Sequence, residues 1–392
     1  MSAPLAFAAA RVFDGLGAEL ANHAVILDPQ TRRIQALRPA AEIPNAKWVE
    51  GALAPGFINA HGHLELSHLQ GQFARDTGLV PFLEAVTKQR AASPERIAEA
   101  MREAHNAMQQ AGIVGMGDIT NTADSLPIKR ESSLRWHQFV EVFGASEAGA
   151  ASGLARGLPV RQAFREAGLT ADTSPHAPYS VHPELLGALG EQADGRLMSI
   201  HMQESPAEMQ WFQEGKGPFE AFFAGLGIPV TAPTPGNSPL RTVLEALPQG
   251  PLLLVHNTLA TAEDRALAAA RPDTWWCFCP LANLYIEERL PDVPTWLPHT
   301  DRVVIGTDSL ASNKRLSVHD ELAALAQAFP AIPEATLLQW ACGNGARLFG
   351  WEADLGALEP GRAPALLQLR PSAEGQLFGP GSEVQVLVQP GV

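Results

Sequence analysis

Cysteine is scarce. Cys277, Cys279 and Cys342 are the only three in 392 residues. They are too few for a disulfide framework, so a reducing compartment, the cytoplasm, is expected. No apolar run approaches the roughly 18 residues that a bilayer crossing needs, so no membrane association is expected. The opening MSAPLAFAAARVF has no basic residues ahead of its apolar part, and no leader peptide is expected. Basic side chains are also outnumbered: 28 Lys and Arg face 42 Asp and Glu, for a formal net charge of −14. Such a chain is poorly suited to a phosphate backbone, so nucleic acid is set aside and a small-molecule partner is expected. No dinucleotide fingerprint follows the glycine turn GLGAEL. The His-x-Glu and Pro-Cys-x-x-Cys pattern of cytidine-type zinc deaminases is missing. HLELSH places its glutamate one position late for a zinc-protease helix, and His68 reads as a polar loop residue.

With 46% hydrophobic and 18% charged residues, the chain can bury a sizeable core. Its two ends read alike. LAFAAARVFDG and HAVILDPQTRRIQAL, then GALEPGRAPALLQLR and SEVQVLVQP, are short apolar runs separated by turn residues. Residues 1–53 and 352–392 are therefore expected to form one small β-sandwich domain. Residues 54–351 alternate strand-like runs with helical patterns. Eight strand candidates stand out: APGFINAH, GIVGMGDIT, RWHQFVEVFG, TADTSPHAPYS, RLMSIHMQES, PLLLVHNTL, TWWCFCPLAN and RVVIGTDSL. Helical stretches lie between them, such as 93–110 with Ser93-Pro94 as cap and first position. The expected class is α/β, a (β/α)8 TIM barrel, whose usual size is about 250 residues. The segment after the fifth strand, with PVTAPTPGNSPL, reads either as a lid or as a surface insertion.

In such a barrel the chemistry sits at the C-terminal strand ends. Those ends carry His61 and His63 (first), His176 (fourth), His201 with Glu204 behind it (fifth), His256 (sixth) and Asp308 (eighth). Side chains two apart on a strand face the same way, so His61 and His63 can both face the barrel axis. Two neutral imidazoles in contact have little reason to be buried together unless something binds both lone pairs. A divalent metal does so, and a catalytic zinc takes three or so protein ligands plus water. His201 and Asp308 complete the set from across the barrel. Cys277 and Cys279 share a strand face and read as small core residues, since no second cysteine pair accompanies them.

His-x-His, HMQES, VHN, GTDSLASN, SPHAPYS and LGALEPGRAPALL together resemble the amidohydrolase superfamily, in its nucleoside deaminase and chlorohydrolase branch. The resemblance spans nearly the whole chain. It implies one divalent metal, zinc first and iron second, held by His61, His63, His201 and Asp308. The fourth strand has no lysine, in keeping with a single ion. The resemblance further implies His256 beside the attacking water, Asp308 accepting its proton, and Glu204 protonating a ring nitrogen. Within the branch, INAHGHLELSHL and CPLANLYIEERLPDV look most like the aminodeoxyfutalosine deaminases of a menaquinone route, which turn 6-amino-6-deoxyfutalosine into futalosine and ammonia. The alternatives on the same scaffold are guanine, adenosylhomocysteine or methylthioadenosine deaminases, a chlorohydrolase or an amide hydrolase. A non-catalytic barrel is a remote third, because no ligand is missing. Substrate contacts are expected from His176, Glu84, Arg90 and Asn283. A homo-oligomer is left open.

Overall fold

The computed structural model describes residues 4–391. Both ends of the chain meet in one seven-stranded mixed sheet. Leu5–Phe13 (β1) pairs antiparallel with Glu19–Leu27 (β2), and β2 with Ile34–Pro39 (β3). Lys47–Trp48 (β4) and Ala52–Ala54 (β5) run parallel to β1. From the far end, Leu366–Arg370 (β15) and Glu383–Val388 (β16) add on through β5. Val12, Val25, Leu27, Leu53, Leu366 and Val388 bury one apolar face of this sheet. The joining of the two ends is as expected. The described strands of this unit pair along one continuous path.

The rest is α/β. All eight strand candidates contain strands, and all run parallel to their paired neighbours. Phe57–His63 (β6), Ile113–Thr120 (β7), Arg135–Val142 (β8) and Thr170–Pro175 (β9) form one arc. Met198–Met202 (β10), Leu252–His256 (β11), Thr274–Phe278 (β12) and Val303–Ile305 (β13) form a second. The last strand is interrupted, and its continuation, Asp308–Ser309 (β14), pairs with β6. The arcs touch at two seams. At one, the His201 N–H donates to the His176 carbonyl at 2.9 Å; at the other, the Thr307 N–H donates to the His61 carbonyl at 2.8 Å. Asn59 reinforces the second seam, donating from Nδ2 to Thr307 Oγ1 at 2.8 Å.

These strands are apolar on both faces because each face is covered. Inside lie Ala60, Phe139, Val255, Cys277 and Val304. Cys277 and Cys279 are buried and free, as expected of small core residues. The larger apolar layer lies between strands and helices. The helices introduced here are Leu79–Gln89 (α1), Pro94–Gln110 (α2), Leu126–Glu131 (α3), Glu147–Glu166 (α4), Pro183–Ala193 (α5), Pro206–Glu214 (α6) and Pro218–Gly225 (α7). The start of α2 follows its sequence signals: Ser93 Oγ accepts the Arg96 N–H and Pro94 takes the first turn. The segment after β10 forms α6 and α7 and then an irregular run. Phe222, Phe223, Leu226, Ile228 and Pro229 from it wall the cavity described next.

Candidate metal centre and cavity

β6 ends on His61 and His63, separated by Gly62. A Cβ at Gly62 would lie 2.6 Å from Met116 Cε and 3.1 Å from the Asp308 carbonyl, so the glycine lets the first and last strands close on each other. That approach carries Asp308 to the two imidazoles. Its Oδ1 lies 3.2 Å from His63 Nε2 and 3.7 Å from His61 Nε2. Asp308 has φ of +57°, a left-handed conformation uncommon outside glycine that turns the side chain out of the strand. Ser312 donates its hydroxyl to Asp308 Oδ2. The His201 ring centroid is 4.8 Å from that of His61. His201 Nδ1 donates to the His176 carbonyl at 2.8 Å, which fixes the ring and leaves Nε2 as the bare nitrogen. One ligand atom from each of His61, His63, His201 and Asp308 lies within 4.8 Å of the others.

The donor set fits a cation. Both nitrogens of His61 and Nε2 of His63 are buried without hydrogen-bond partners, an arrangement that costs free energy unless something binds those lone pairs. The electrostatics agree. Burial lowers His61 to about 4. Burial also acts against charge at His63, but contact with Asp308 outweighs it and raises that imidazole to about 9. Burial would raise Asp308, yet the His61 and His63 contacts hold it well below the usual carboxylate range. Positive charge is thus favoured at this point, and a divalent ion satisfies that preference with three nitrogens and one oxygen.

Two further groups flank the cluster. His256, with φ of +74°, directs Nδ1 to Asn283 Oδ1 at 2.7 Å. Asn283 Nδ2 in turn donates to Thr258 Oγ1 at 3.0 Å, which orients the amide so that His256 Nδ1 carries the hydrogen. His256 Nε2 is left bare, 3.7 Å from Glu204 Oε1. Glu204 is buried, and burial, reinforced by the charge of Asp308, raises its carboxyl well above the usual range. That shift favours the protonated form. Glu208, at the start of α6, fixes the turn by accepting the Gln203 and Glu204 N–H groups at 3.0 and 2.8 Å.

A cavity of about 490 Å³ opens over this centre, lined by His63, His201, His256, Glu204 and Asp308 at its floor. Among the expected substrate contacts, His176 and Arg90 line it. Glu84 and Asn283 do not. Glu84 lies on α1 with its side chain 45% exposed and pairs with Lys88 at 3.3 Å, the ordinary i, i+4 pair of a solvated face. Asn283 stands behind His256 as its hydrogen-bond partner. His68, expected as a loop residue, is buried and binds the Arg90 carbonyl at 2.9 Å. The sequence reading missed Glu141, Tyr179 and Arg156, all of which line the cavity. A carboxylate inside the apolar run RWHQFVEV was the available signal for Glu141.

The Amidohydrolase family model matches residues 52–381. An aminodeoxyfutalosine deaminase of Deinococcus radiodurans is 27% identical over 316 residues, covering 76% of this chain and 73% of that protein. Among solved structures, Helicobacter pylori aminofutalosine deaminase in complex with methylthio-coformycin superposes with a TM-score of 0.80 at 24% identity, covering 94% of this chain and 92% of that one. An adenosine deaminase from Xanthomonas campestris with bound zinc gives 0.76 at 22% identity, covering 98% of this chain and 92% of that one. At these identities the two structural likenesses speak for the fold.

Proposed function

Because the chain belongs to the amidohydrolase family and is a hydrolase acting on carbon–nitrogen bonds, we propose that it hydrolytically deaminates a 6-aminopurine nucleoside. The observation that carries this reading is the buried Glu204 set 3.7 Å from His256, with Asp308 beside them, on the floor of one cavity. Such a floor offers a proton acceptor and a proton donor to the same small group. His61, His63, His201 and Asp308 would hold one divalent ion, zinc before iron, as zinc is bound in the Xanthomonas structure. When bound, that ion supplies an acidified water, with a pKa near about 7.

The chain's own residues do the rest. Asp308 accepts a proton through its carboxylate as the water oxygen adds to the ring carbon bearing the amine. His256, its Nδ1–H held by Asn283, presents bare Nε2 to the same water and orients it. Glu204 gives its proton to the neighbouring ring nitrogen, so the ring does not carry the developing negative charge. The proton on Asp308 then passes to the departing amine, the carbon–nitrogen bond breaks and ammonia leaves, while the new hydroxyl returns its proton to Glu204 as it becomes the ring carbonyl.

The finer reading is 6-amino-6-deoxyfutalosine as substrate, and with it a place in menaquinone synthesis in the cytoplasm. Its support is the Deinococcus relative's name and the cavity walls. Leu66, Phe82, Leu83, Val86 and Phe143 make them apolar, and Arg90 and Arg156 stand among them as cations for an acidic aromatic group. We also propose residues 54–351 as a closed (β/α)8 barrel and 1–53 with 352–392 as a separate β domain. The test is a panel of 6-aminopurine nucleosides given to metal-replete protein, followed by ammonia release and the adenine-to-hypoxanthine spectral change. Methylthioadenosine, adenosylhomocysteine and guanine belong in the panel. Absence of turnover on every 6-aminopurine nucleoside overturns the reading.

A further inference from the structure

Glu141 has no part in the scheme above, yet it projects from the end of β8 into the same cavity. Asn121 fixes its carboxylate, donating from Nδ2 to Oε2 at 3.0 Å and to the Glu141 carbonyl at 3.3 Å. Asn121 is itself held, since Glu65 Oε2 accepts its N–H at 2.9 Å. Oε1 is left buried with no hydrogen-bond partner. The nearest candidates are His201 Nδ1 at 3.9 Å and His176 Nε2 at 4.0 Å. His201 Nδ1 already donates to the His176 carbonyl. His176 Nδ1 lies 2.6 Å from Ser180 Oγ, and that hydroxyl donates to the Ala177 carbonyl. The network therefore assigns the His176 hydrogen to Nδ1 and leaves Nε2 as a bare acceptor.

Two acceptors thus face each other across 4.0 Å with no donor between them. Of the two, Glu141 Oε1 is buried and needs a partner, while His176 Nε2 stands beside it on a partly exposed side chain that lines the cavity. A second metal ion is a poor partner, because His201 Nδ1 is committed and two ligands fall short of a cation site. A group with two neighbouring donors satisfies both atoms at once. We propose that Glu141 and His176 form a two-acceptor clamp for adjacent hydroxyls of the substrate, and that Glu141 is the specificity-determining member of the pair. The proposal rests on the nucleoside reading and adds to it a preference for an intact sugar diol over its deoxy forms.

The test is calorimetric binding of inosine and 2′,3′-dideoxyinosine to the zinc-loaded full chain, beside kcat/KM for adenosine and 2′,3′-dideoxyadenosine. The parent should favour the diol ligand by at least about tenfold, the scale of one hydrogen bond to a charged group. Glu141→Ala should reduce that ratio to below about twofold, and Glu141→Gln, which keeps the shape, should reduce it as well. A purely structural role would weaken both ligands equally and leave the ratio intact. A parent that does not discriminate, or a ratio unchanged in both variants, overturns the clamp, and water alone then meets the two acceptors. If inosine binds with the diol preference while no 6-aminopurine nucleoside releases ammonia, the clamp stands and the deaminase reading falls. If neither binding nor turnover occurs, both fall.

Discussion

In the proposed reaction Glu204 is the proton donor, and its substitution separates proton donation from metal binding. Glu204→Gln keeps the size and burial of the side chain but removes the transferable proton. Zinc content should stay at that of the parent, while turnover should fall by about 100- to 10,000-fold, the usual scale of general acid–base catalysis. Metal analysis and single-turnover kinetics on the same preparation check both halves. An undiminished rate would mean that Glu204 is not the donor. The residues that sequence reading brought together here, His61, His63, His201, His256, Glu204 and Asp308, are those whose backbone position alone sends them to the strand ends or just beyond. Glu84 and Asn283 lie off the cavity lining, the one paired with Lys88 and the other with His256, because their placement depends on rotation about a helix axis and on who their partner is. Spacing along the chain encodes neither.

At the level of elements, the end of β6 is held by a side chain rather than by its ladder. The β6–β7 register is irregular between Asn59 and Gly62. Just past it, Asp118 Oδ1 accepts the N–H of Leu64, the residue after His63, at 2.8 Å. Lys129 of α3 is fully buried and holds Asp118, with Gln138 of β8 as its second acceptor. Lys129→Met would leave Asp118 as a buried charge without its counterion. Unfolding free energy should drop by about 3–5 kcal/mol in a denaturant titration. Competition with a chelator should show zinc held about 10- to 100-fold more weakly, since the segment bearing His63 loses its anchor. Unchanged zinc affinity would limit the pair to stability alone. The strands themselves were legible, because an apolar run ending in a polar residue marks a strand covered on both faces. The buried Lys129 was not, since a lysine in PIKRE reads as solvated until its partners 11 residues before and 9 after are brought to it by the fold.

For the whole molecule, the sheet that joins the chain ends was legible as β-structure, but the order in which its strands pair was not. Alternation reports which face of a strand is buried and says nothing of which neighbour it meets. Global stability should carry the signature of His137, which packs between Phe139 and Phe349. Burial lowers its imidazole to about 4, against about 6.5 when unfolded. The unfolded chain therefore binds the extra proton first. Stability that is present above about pH 6.5 should be lost as pH falls toward about 4. His137→Phe should flatten this dependence by up to about 3 kcal/mol, read from urea midpoints at pH 7 and pH 4.5. Removing the ion should also act globally. A chelator should lower the melting temperature, and added zinc should restore it in a concentration-dependent manner, because the ion would bind the folded chain far more tightly than the unfolded one.

The meeting of β14 with β6 also sets an order of events during synthesis. His61 and His63 leave the ribosome about 250 residues ahead of Asp308, so a growing polypeptide carries half of the proposed ligand set long before it can complete it. Stable capture of the proposed ion would wait until Asp308 has emerged, and any imidazoles filled earlier would hold only a loosely chelated, exchangeable ion.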